Sequence, residues 1–477
     1  MIFENPAVWL FAAIAVPCAF VAMRYWQRAL FGVFVLLVFE GALRKWVFPW
    51  GQAGIYLVKD AILLAAYFGF LLDGQRNQPA LRSAGPIKFV LILSFVFGCL
   101  EVLNPNSPSI LVGLVGLKTY FLYAPVAFIF PYTIKSREQL FDLIRRYLIM
   151  AIPVAVLGFV QIAAGPESRL NTYVSYSEDV EAAGVQFGAA YDLVRTSGTF
   201  SFISGYATFL SFVSFLAIGY NMARGWRLKN NIAPILALIL AIGAMFTTGS
   251  RGPVYILVAT GPLILGMAVA SRVLAPQMAM RLFILIPIFA IVAVSLSPRA
   301  YEGFVERATS SSDDTLYSRV VSAPLDQTIG ALSEAPALGF GIGTTHAAGL
   351  TIMQTDEFWW LHGLIVEEEP ARVTEELGVI GLLLIYFLRF LIATFALRCA
   401  MSFKDPAYRS LGIVLTAYLA VYILLPSINN PTASLYYWGA LGLLLAMQRL
   451  EQALVRRPGA TLAASRARVG RSAVHAK

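Results

Sequence analysis

Apolar runs long enough to cross a bilayer recur from one end of this chain to the other, and no other feature limits its fold as strongly. A helix needs roughly 20 such residues to span about 30 Å of hydrocarbon. In hydrocarbon every backbone polar group must find an internal partner, so only helices or closed barrels can cross. The alternating pattern of membrane strands is missing, and a continuous block such as 254–270 satisfies its backbone there only as helix. The chain is 58% hydrophobic and 13% charged, with a mean hydropathy of +0.71, well above a soluble domain. The expectation is an all-α polytopic membrane protein.

Hydropathy places about 12–13 transmembrane helices. They fall near 7–23, 29–43, 55–72, 86–100, 111–130, 143–164, 200–220, 232–246, 254–270, 282–296, 377–397, 410–425 and 435–447. Short cytoplasmic loops retain Lys and Arg, which sets the orientation. Basic residues cluster in every second connection, at Arg24/Arg28, Arg76/Arg82/Lys88, Lys135/Arg137/Arg145/Arg146, Arg224/Arg227/Lys229, Arg272/Arg281 and Arg398/Lys404/Arg409. The tail from Arg449 shares their side, so these connections are expected to be cytoplasmic. The others, 44–54, 101–110, 165–199, 249–253, 298–374 and 426–434, are then external. Four regions follow: an N-terminal bundle over 1–297, an external loop over 298–374, C-terminal helices over 375–447, and a basic, disordered tail over 448–477 near anionic head groups.

The net charge of +9 is parcelled into loops between spans and implies no nucleic-acid partner. Cys18, Cys99 and Cys399 all fall within spans and imply no disulfide framework. The first apolar run lacks a preceding basic region and a cleavage motif, so it is expected to be retained. No internal repeat divides the chain into equal halves, which weakens a carrier reading.

Arginines on the external side have no topological reason to be there, and those at helix ends are candidates for ligand binding. Arg251 lies in Thr248-Gly249-Ser250-Arg251-Gly252-Pro253, between two apolar runs. Ser250 suits an N-cap and Pro253 a first turn, so backbone donors and the guanidinium together make an anion site suited to phosphate. Arg195, in Arg195-Thr196-Ser197-Gly198-Thr199, repeats that chemistry at another external helix start. Arg44 and Lys45 add adjacent cations beside Trp46 and Trp50, with Glu40 as a buried partner. Lys59, Asp60 and Lys118 lie within or at the edge of spans and read as structural ion pairs.

The external loop holds His346, His362 and the acid cluster Glu367, Glu368 and Glu369, followed by Arg372, Glu375 and Glu376. A carboxylate or imidazole there can accept a proton from an attacking hydroxyl. The two histidines match no compact ligand spacing, so neither metal nor cofactor is expected. The glycine-rich run 337–344 follows no parallel-strand pattern and reads as a tight turn in a re-entrant or amphipathic segment.

Thr248-Gly249-Ser250-Arg251-Gly252 at an external helix junction, a large late external loop, Leu338-Gly339-Phe340-Gly341-Ile342-Gly343-Thr344 within it, and Glu376-Leu377-Gly378-Val379-Ile380-Gly381 after it resemble the O-antigen ligase and O-antigen polymerase superfamily. The resemblance implies a glycosyltransferase C-type helix bundle with a large late periplasmic loop, in the bacterial inner membrane. It implies an undecaprenyl-diphosphate-linked glycan donor, with Arg251 matching the family's arginine and Arg195 as a second diphosphate ligand. Polysaccharide assembly and chain-length proteins are the partners it suggests. One departure is clear: where the family usually has a histidine, about nine residues before the glutamate of the Glu-x-Gly step, this chain has Glu367. Either the acid cluster with Arg372 takes that role, or His346 or His362 reaches in. Polymerisation of exopolysaccharide repeat units is the first reading; ligation of finished polymer to lipid A core, and flipping of the lipid-linked glycan, are the alternatives.

Overall fold

The computed structural model describes residues 6–49, 52–73, 84–174, 186–187, 193–226, 228–280, 291, 295, 298–309, 322–353, 358 and 368–455. The expected span at 282–296, Trp50, His362, Glu367 and the tail beyond 455 lie wholly or largely outside them. Helices occupy all the other expected runs. They are α1 (Pro6–Arg24), α2 (Trp26–Ala42), α3 (Gln52–Leu72), α4 (Gly85–Glu101), α5 (Ile110–Phe121), α6 (Ala124–Ile129), α7 (Arg137–Ala164), α8 (Ile203–Arg224), α9 (Leu228–Thr247) and α10 (Gly252–Ala270). Three shorter helices, α11 (Pro298–Thr309), α12 (Ala323–Glu334) and α13 (Ala347–Met353), fill much of the expected loop. Then come α14 (Glu369–Ser402), α15 (Pro406–Val421) and α16 (Pro431–Val455). The sole strand pairing among the described residues is antiparallel, β1 (Gln186–Phe187) with β2 (Leu193–Val194).

Six helical segments among the described residues are long and apolar enough to cross a membrane. They lie in a bundle whose outer surface is itself apolar: Leu72, Phe89, Leu100, Val258, Leu383 and Phe390 are all exposed. A water-soluble monomer rarely exposes so much contiguous apolar surface, whereas lipid tails cover it at no cost. The molecule is a multi-pass membrane protein.

Local signals start the helices where the chain leaves a turn. Ser136 Oγ accepts from Gln139 N at 3.1 Å at the start of α7, and Asp405 Oδ1 accepts from Ala407 N at 2.8 Å ahead of Pro406 in α15. Each of these caps satisfies a donor that the helix itself leaves unpaired. The helices α8, α15 and α16 form the centre. Tyr206, Phe209, Tyr408, Tyr418 and Tyr436 are all essentially fully buried, and Phe212 stacks on Tyr436 with ring centroids 4.3 Å apart.

Contacts between helix termini define two ends of the bundle. Trp26, Phe70 and Tyr132 form a chain of ring contacts at 5.2 and 5.1 Å, and Arg449 lies over Tyr132 at 5.4 Å. Arg137 pairs with Asp405 at 2.8 Å, and Arg409 donates to Ser271 O at 2.9 Å. This end therefore gathers the termini that the basic clusters assigned to one side. Gln161, Gly198, Thr196 and Thr247 are joined at the opposite end, by bonds of 2.7–3.3 Å.

The start of α14 departs from the expected boundary at 377. The helix begins at Glu369, with Pro370 in its first turn, and continues to Ser402 across a break at Gly378, where φ is 63° and ψ is −165°. Glycine is required there twice over: the dihedral is left-handed, and a Cβ would lie 2.0 Å from Ala337 O. Hydropathy misses the first turns because Glu369, Glu375 and Glu376 are polar, yet all three are buried.

Candidate functional site

Of the four cations and one hydroxyl expected to bind substrate, Arg44 and Lys45 reach the short segment 195–201 that Arg195 opens, Arg195 holds Ser250, and Arg251 follows Ser250 in the chain. Arg195 donates from Nε to Thr248 O at 2.9 Å and from Nη2 to Ser250 Oγ at 2.8 Å. Thr196 N donates to Thr247 O at 3.0 Å, and the Thr196 and Thr247 hydroxyls meet at 2.7 Å. The end of α9 is thus bound to the approach to α8. Arg251, 8% exposed, takes the N-cap position of α10, immediately beside the Ser250 hydroxyl that Arg195 holds. Ser250 does not cap α10 as the sequence suggested. Its Oγ accepts from Arg195 instead, which draws a second guanidinium to the helix start.

From the other side, α2 continues into a single π-helical turn, Leu43–Val47, closed by Phe48 N to Leu43 O at 2.7 Å. One wider turn re-aims the side chains that follow, a device common at functional positions. Arg44 Nη1 reaches Ser201 Oγ at 3.0 Å, and Lys45 Nζ reaches Ser197 Oγ at 2.9 Å and Gly198 O at 2.8 Å. Gln161 grips both faces of Gly198, accepting from its N–H at 2.8 Å and donating to its carbonyl at 3.3 Å. Bonds from Gln161, Arg44 and Lys45 therefore fix the segment. Arg44 Nε is buried with no hydrogen-bond acceptor among the described residues. The hydrogen-bond partners of Lys45 are uncharged, and burial pushes its ammonium down to about 7.

A second layer of charge supports the first. Glu40 pairs with Arg44 at 3.5 Å and with Lys59 at 2.7 Å, and Asp60 pairs with Lys118 at 2.6 Å and accepts from Tyr123 at 2.9 Å. Lys59 and Asp60, neighbours in sequence, pair in opposite directions and not with each other. Arg44, Lys59 and Lys118 all lie over the Tyr56 ring, at 5.3, 4.5 and 4.2 Å. With Lys45 this layer holds four cations against two carboxylates. Such a surplus in a low-dielectric setting favours an anion.

The glycine-rich run brings the late loop to the same belt. Gly339, Gly341 and Gly343 all have positive φ, at 76°, 102° and 89°. Gly343 is pressed on α5: a Cβ on Gly116 would lie 2.4 Å from Gly343 N. Phe340 N and Gly341 N donate to Glu375 O and Glu376 O at 2.6 and 3.0 Å, just before the Gly378 break. The run is a buried wedge between α5 and α14. It sets Thr345, whose N–H and hydroxyl donate to Glu376 Oε1 at 3.0 and 2.6 Å, and then His346. Burial, with Lys118 and Arg372 close by, holds the His346 imidazole down at about 4, so it is neutral at pH 7. A neutral imidazole is a proton acceptor.

The acid cluster divides. Glu369 is 3% exposed and is bound by Arg389, whose guanidinium also donates to Ser427 Oγ at 2.8 Å. The other Glu369 oxygen accepts from Ser427 N and Ile428 N at 2.7 and 2.6 Å. This carboxylate fastens α14 to the connection before α16. Glu368 N donates to Gln327 Oε1 at 3.0 Å, which fixes the entrance to α14 against α12. Among the described residues no group of three or more His, Cys, Asp and Glu side chains converges on a metal position.

The sequence reading missed the hydroxyl and amide partners Ser197, Ser201 and Gln161 and the shared ring of Tyr56. Ser197 is visible as part of the arginine-bearing segment, but nothing marks Gln161 within the apolar run of α7. A cavity of about 170 Å³ runs between α8, α9 and α10, from Phe246 and Val254, near the Arg195–Ser250–Arg251 turn, past Ile242 and Leu257 to Met222 and Trp226. A cationic turn beside an apolar cleft suits an amphiphile with an anionic head. No protein-family model matches the sequence, and no curated protein is significantly similar to it.

Proposed function

We propose that this protein is a bacterial inner-membrane glycosyltransferase that polymerises undecaprenyl-diphosphate-linked oligosaccharide repeat units at the periplasmic face. The observation that carries this reading is the joining of Arg44 and Lys45 to 195–201 and of Arg195 to Ser250, which Arg251 follows at the start of α10, beside an apolar cleft. The glycosyltransferase C-type architecture and the external position of this end follow from the sequence resemblance and the distribution of basic residues.

In the reaction, an acceptor sugar hydroxyl attacks the anomeric carbon of the donor. The bond from that carbon to the diphosphate oxygen breaks, and undecaprenyl diphosphate leaves with the bonding pair. Negative charge grows on the leaving oxygen, so guanidinium groups already in position stabilise the transition state more than the ground state. Arg195 and Arg251 take this role, Ser250 orients Arg195, and Arg44 and Lys45 hold the second phosphate. The first isoprene units lie in the cleft walled by Phe246 and Val254.

His346 accepts the hydroxyl proton. Burial is the main cause of its low basicity in the empty site, with Lys118 and Arg372 adding to it, and an arriving diphosphate offsets the part owed to those two cations. Donor binding thus strengthens the base in part.

The test uses purified protein in lipid vesicles, supplied with lipid-linked repeat units alone and the products sized on a gel. A ladder of longer glycans is expected, and Arg251→Ala is expected to remove it. An undiminished ladder from Arg251→Ala ends the role assigned to that residue. No ladder from folded protein, with transfer onto added lipid A core, replaces polymerisation with ligation.

A further inference from the structure

The opposite end of the bundle holds a second cationic cavity that the proposed reaction does not use. It measures about 560 Å³ and lies between the α1–α2 turn and the end of α3, lined by Arg24, Tyr25, Gln27, Arg28, Gly69 and Asp73. Gly69 forms its floor by close approach, since a Cβ there would lie 2.1 Å from Met23 O. Arg24 and Arg28 flank the Tyr25 ring, each 5.9 Å from its centroid. The cavity's one carboxylate, Asp73, accepts from Trp26 Nε1 at 3.0 Å.

Three other arginines at this end are satisfied within the fold. Arg137 pairs with Asp405, Arg409 donates to Phe403 O and Ser271 O, and Arg449 donates to Pro131 O and Ile134 O. No carboxylate among the described residues lies within ion-pair distance of Arg24 or Arg28. Arg24, in the last turn of α1, complements that helix's dipole. Arg28 sits in the first turn of α2, where the dipole opposes a cation and no side chain caps the helix. Two guanidiniums, one of them at the wrong end of a helix, call for an anion. Directly beside them the outward side of α1 and α3 is apolar, with Phe20, Val21, Phe68 and Leu72 60–75% exposed.

We propose that this cavity binds the phosphate head group of an acidic phospholipid, with Arg24 and Arg28 on the phosphate and the acyl chains lying along Phe20, Val21, Phe68 and Leu72. Basic residues at a membrane surface attract anionic lipid in this way. The apolar flank selects a lipid over a free anion, and Gln27 and Tyr25 offer hydrogen bonds to a glycerol head.

The experiment is a titration of delipidated full-length protein, in neutral detergent, with phosphatidylglycerol and with phosphatidylcholine, counting bound lipids by native mass spectrometry. The wild-type chain is expected to retain phosphatidylglycerol preferentially. Arg24→Gln/Arg28→Gln is expected to bind it about 30-fold more weakly, and Arg24→Lys/Arg28→Lys to keep most of the affinity. Arg146→Gln, an exposed arginine already paired with Asp142, is expected to leave retention unchanged. Equal retention by the double Gln variant, or equal loss with Arg146→Gln, overturns the proposal. Displacement of the lipid by inorganic phosphate alone overturns it in favour of a free-anion site.

Discussion

At the end of the bundle that holds Arg137, Arg409 and Arg449, guanidinium groups pair with a carboxylate or with carbonyls at chain turns. At the end that holds Arg44, Arg195 and Arg251, Arg44 reaches into a hydroxyl-rich segment that Arg195 opens, and the cations exceed the acids that support them. Arg137, Arg409 and Arg449 are satisfied within the fold, each by a group on a neighbouring element. The second end holds more positive charge than the fold needs, and burial raises the cost of that surplus. On the proposed function, the difference separates three arginines satisfied by the fold from arginines that await a ligand.

The largest expected contrast lies in turnover. Arg251→Ala and Arg195→Ala are each expected to slow glycan transfer about 100- to 1,000-fold, the usual loss for one transition-state donor, while Arg137→Ala stays within about twofold. Rates from reconstituted vesicles decide it, and equal losses at both ends would erase the distinction. Stability should separate the ends as well. Glu40→Gln leaves Arg44 and Lys59 without their buried carboxylate and is expected to cost about 3 kcal/mol. Asp142→Asn, facing an Arg146 side chain that is 77% exposed, is expected to change stability by less than about 0.5 kcal/mol. Thermal unfolding in detergent reads both.

A third comparison sharpens the role of Glu369. Replacing Glu369 and Arg389 together by leucine is expected to be milder than Glu369→Ala alone, because the double change leaves no unpaired buried charge. A stable double variant that has lost all transfer activity would instead give Glu369 a part in the chemistry. The last comparison concerns pH. The folded pKa of His346, about 4, lies below its ordinary 6.5, so its contribution to stability is complete above about 6.5. That contribution is lost progressively as pH falls toward 4. His346→Gln is expected to flatten this part of the stability profile, and an unchanged slope would reject the assigned environment.

Much of the architecture was legible in advance because hydrocarbon imposes one rule on every residue of a span. Expected runs such as 254–270 and 410–425 coincide with α10 and α15 to within a few residues. The start of α14 was hidden because its polar first turns are buried by α12 and the glycine wedge, and an acidic segment gives no hydropathy signal. Ser250 was assigned a capping role from local pattern alone, since the competing donor, Arg195, is 55 residues away in sequence.

The sequence by itself determined that this chain is a helical membrane protein, where its described helices fall, and which arginines need an explanation. These properties depend on composition and short-range periodicity. Tertiary structure alone decided that Arg44 and Lys45 meet 195–201 and Arg195 meets Ser250, that Lys59 and Asp60 turn to different partners, and that Glu369 is bound by Arg389. Pairing of buried charge depends on which helices become neighbours. That choice is made by packing between segments up to hundreds of residues apart, with the glycine wedge at 339–343 and the break at Gly378 fixing the last of them in place.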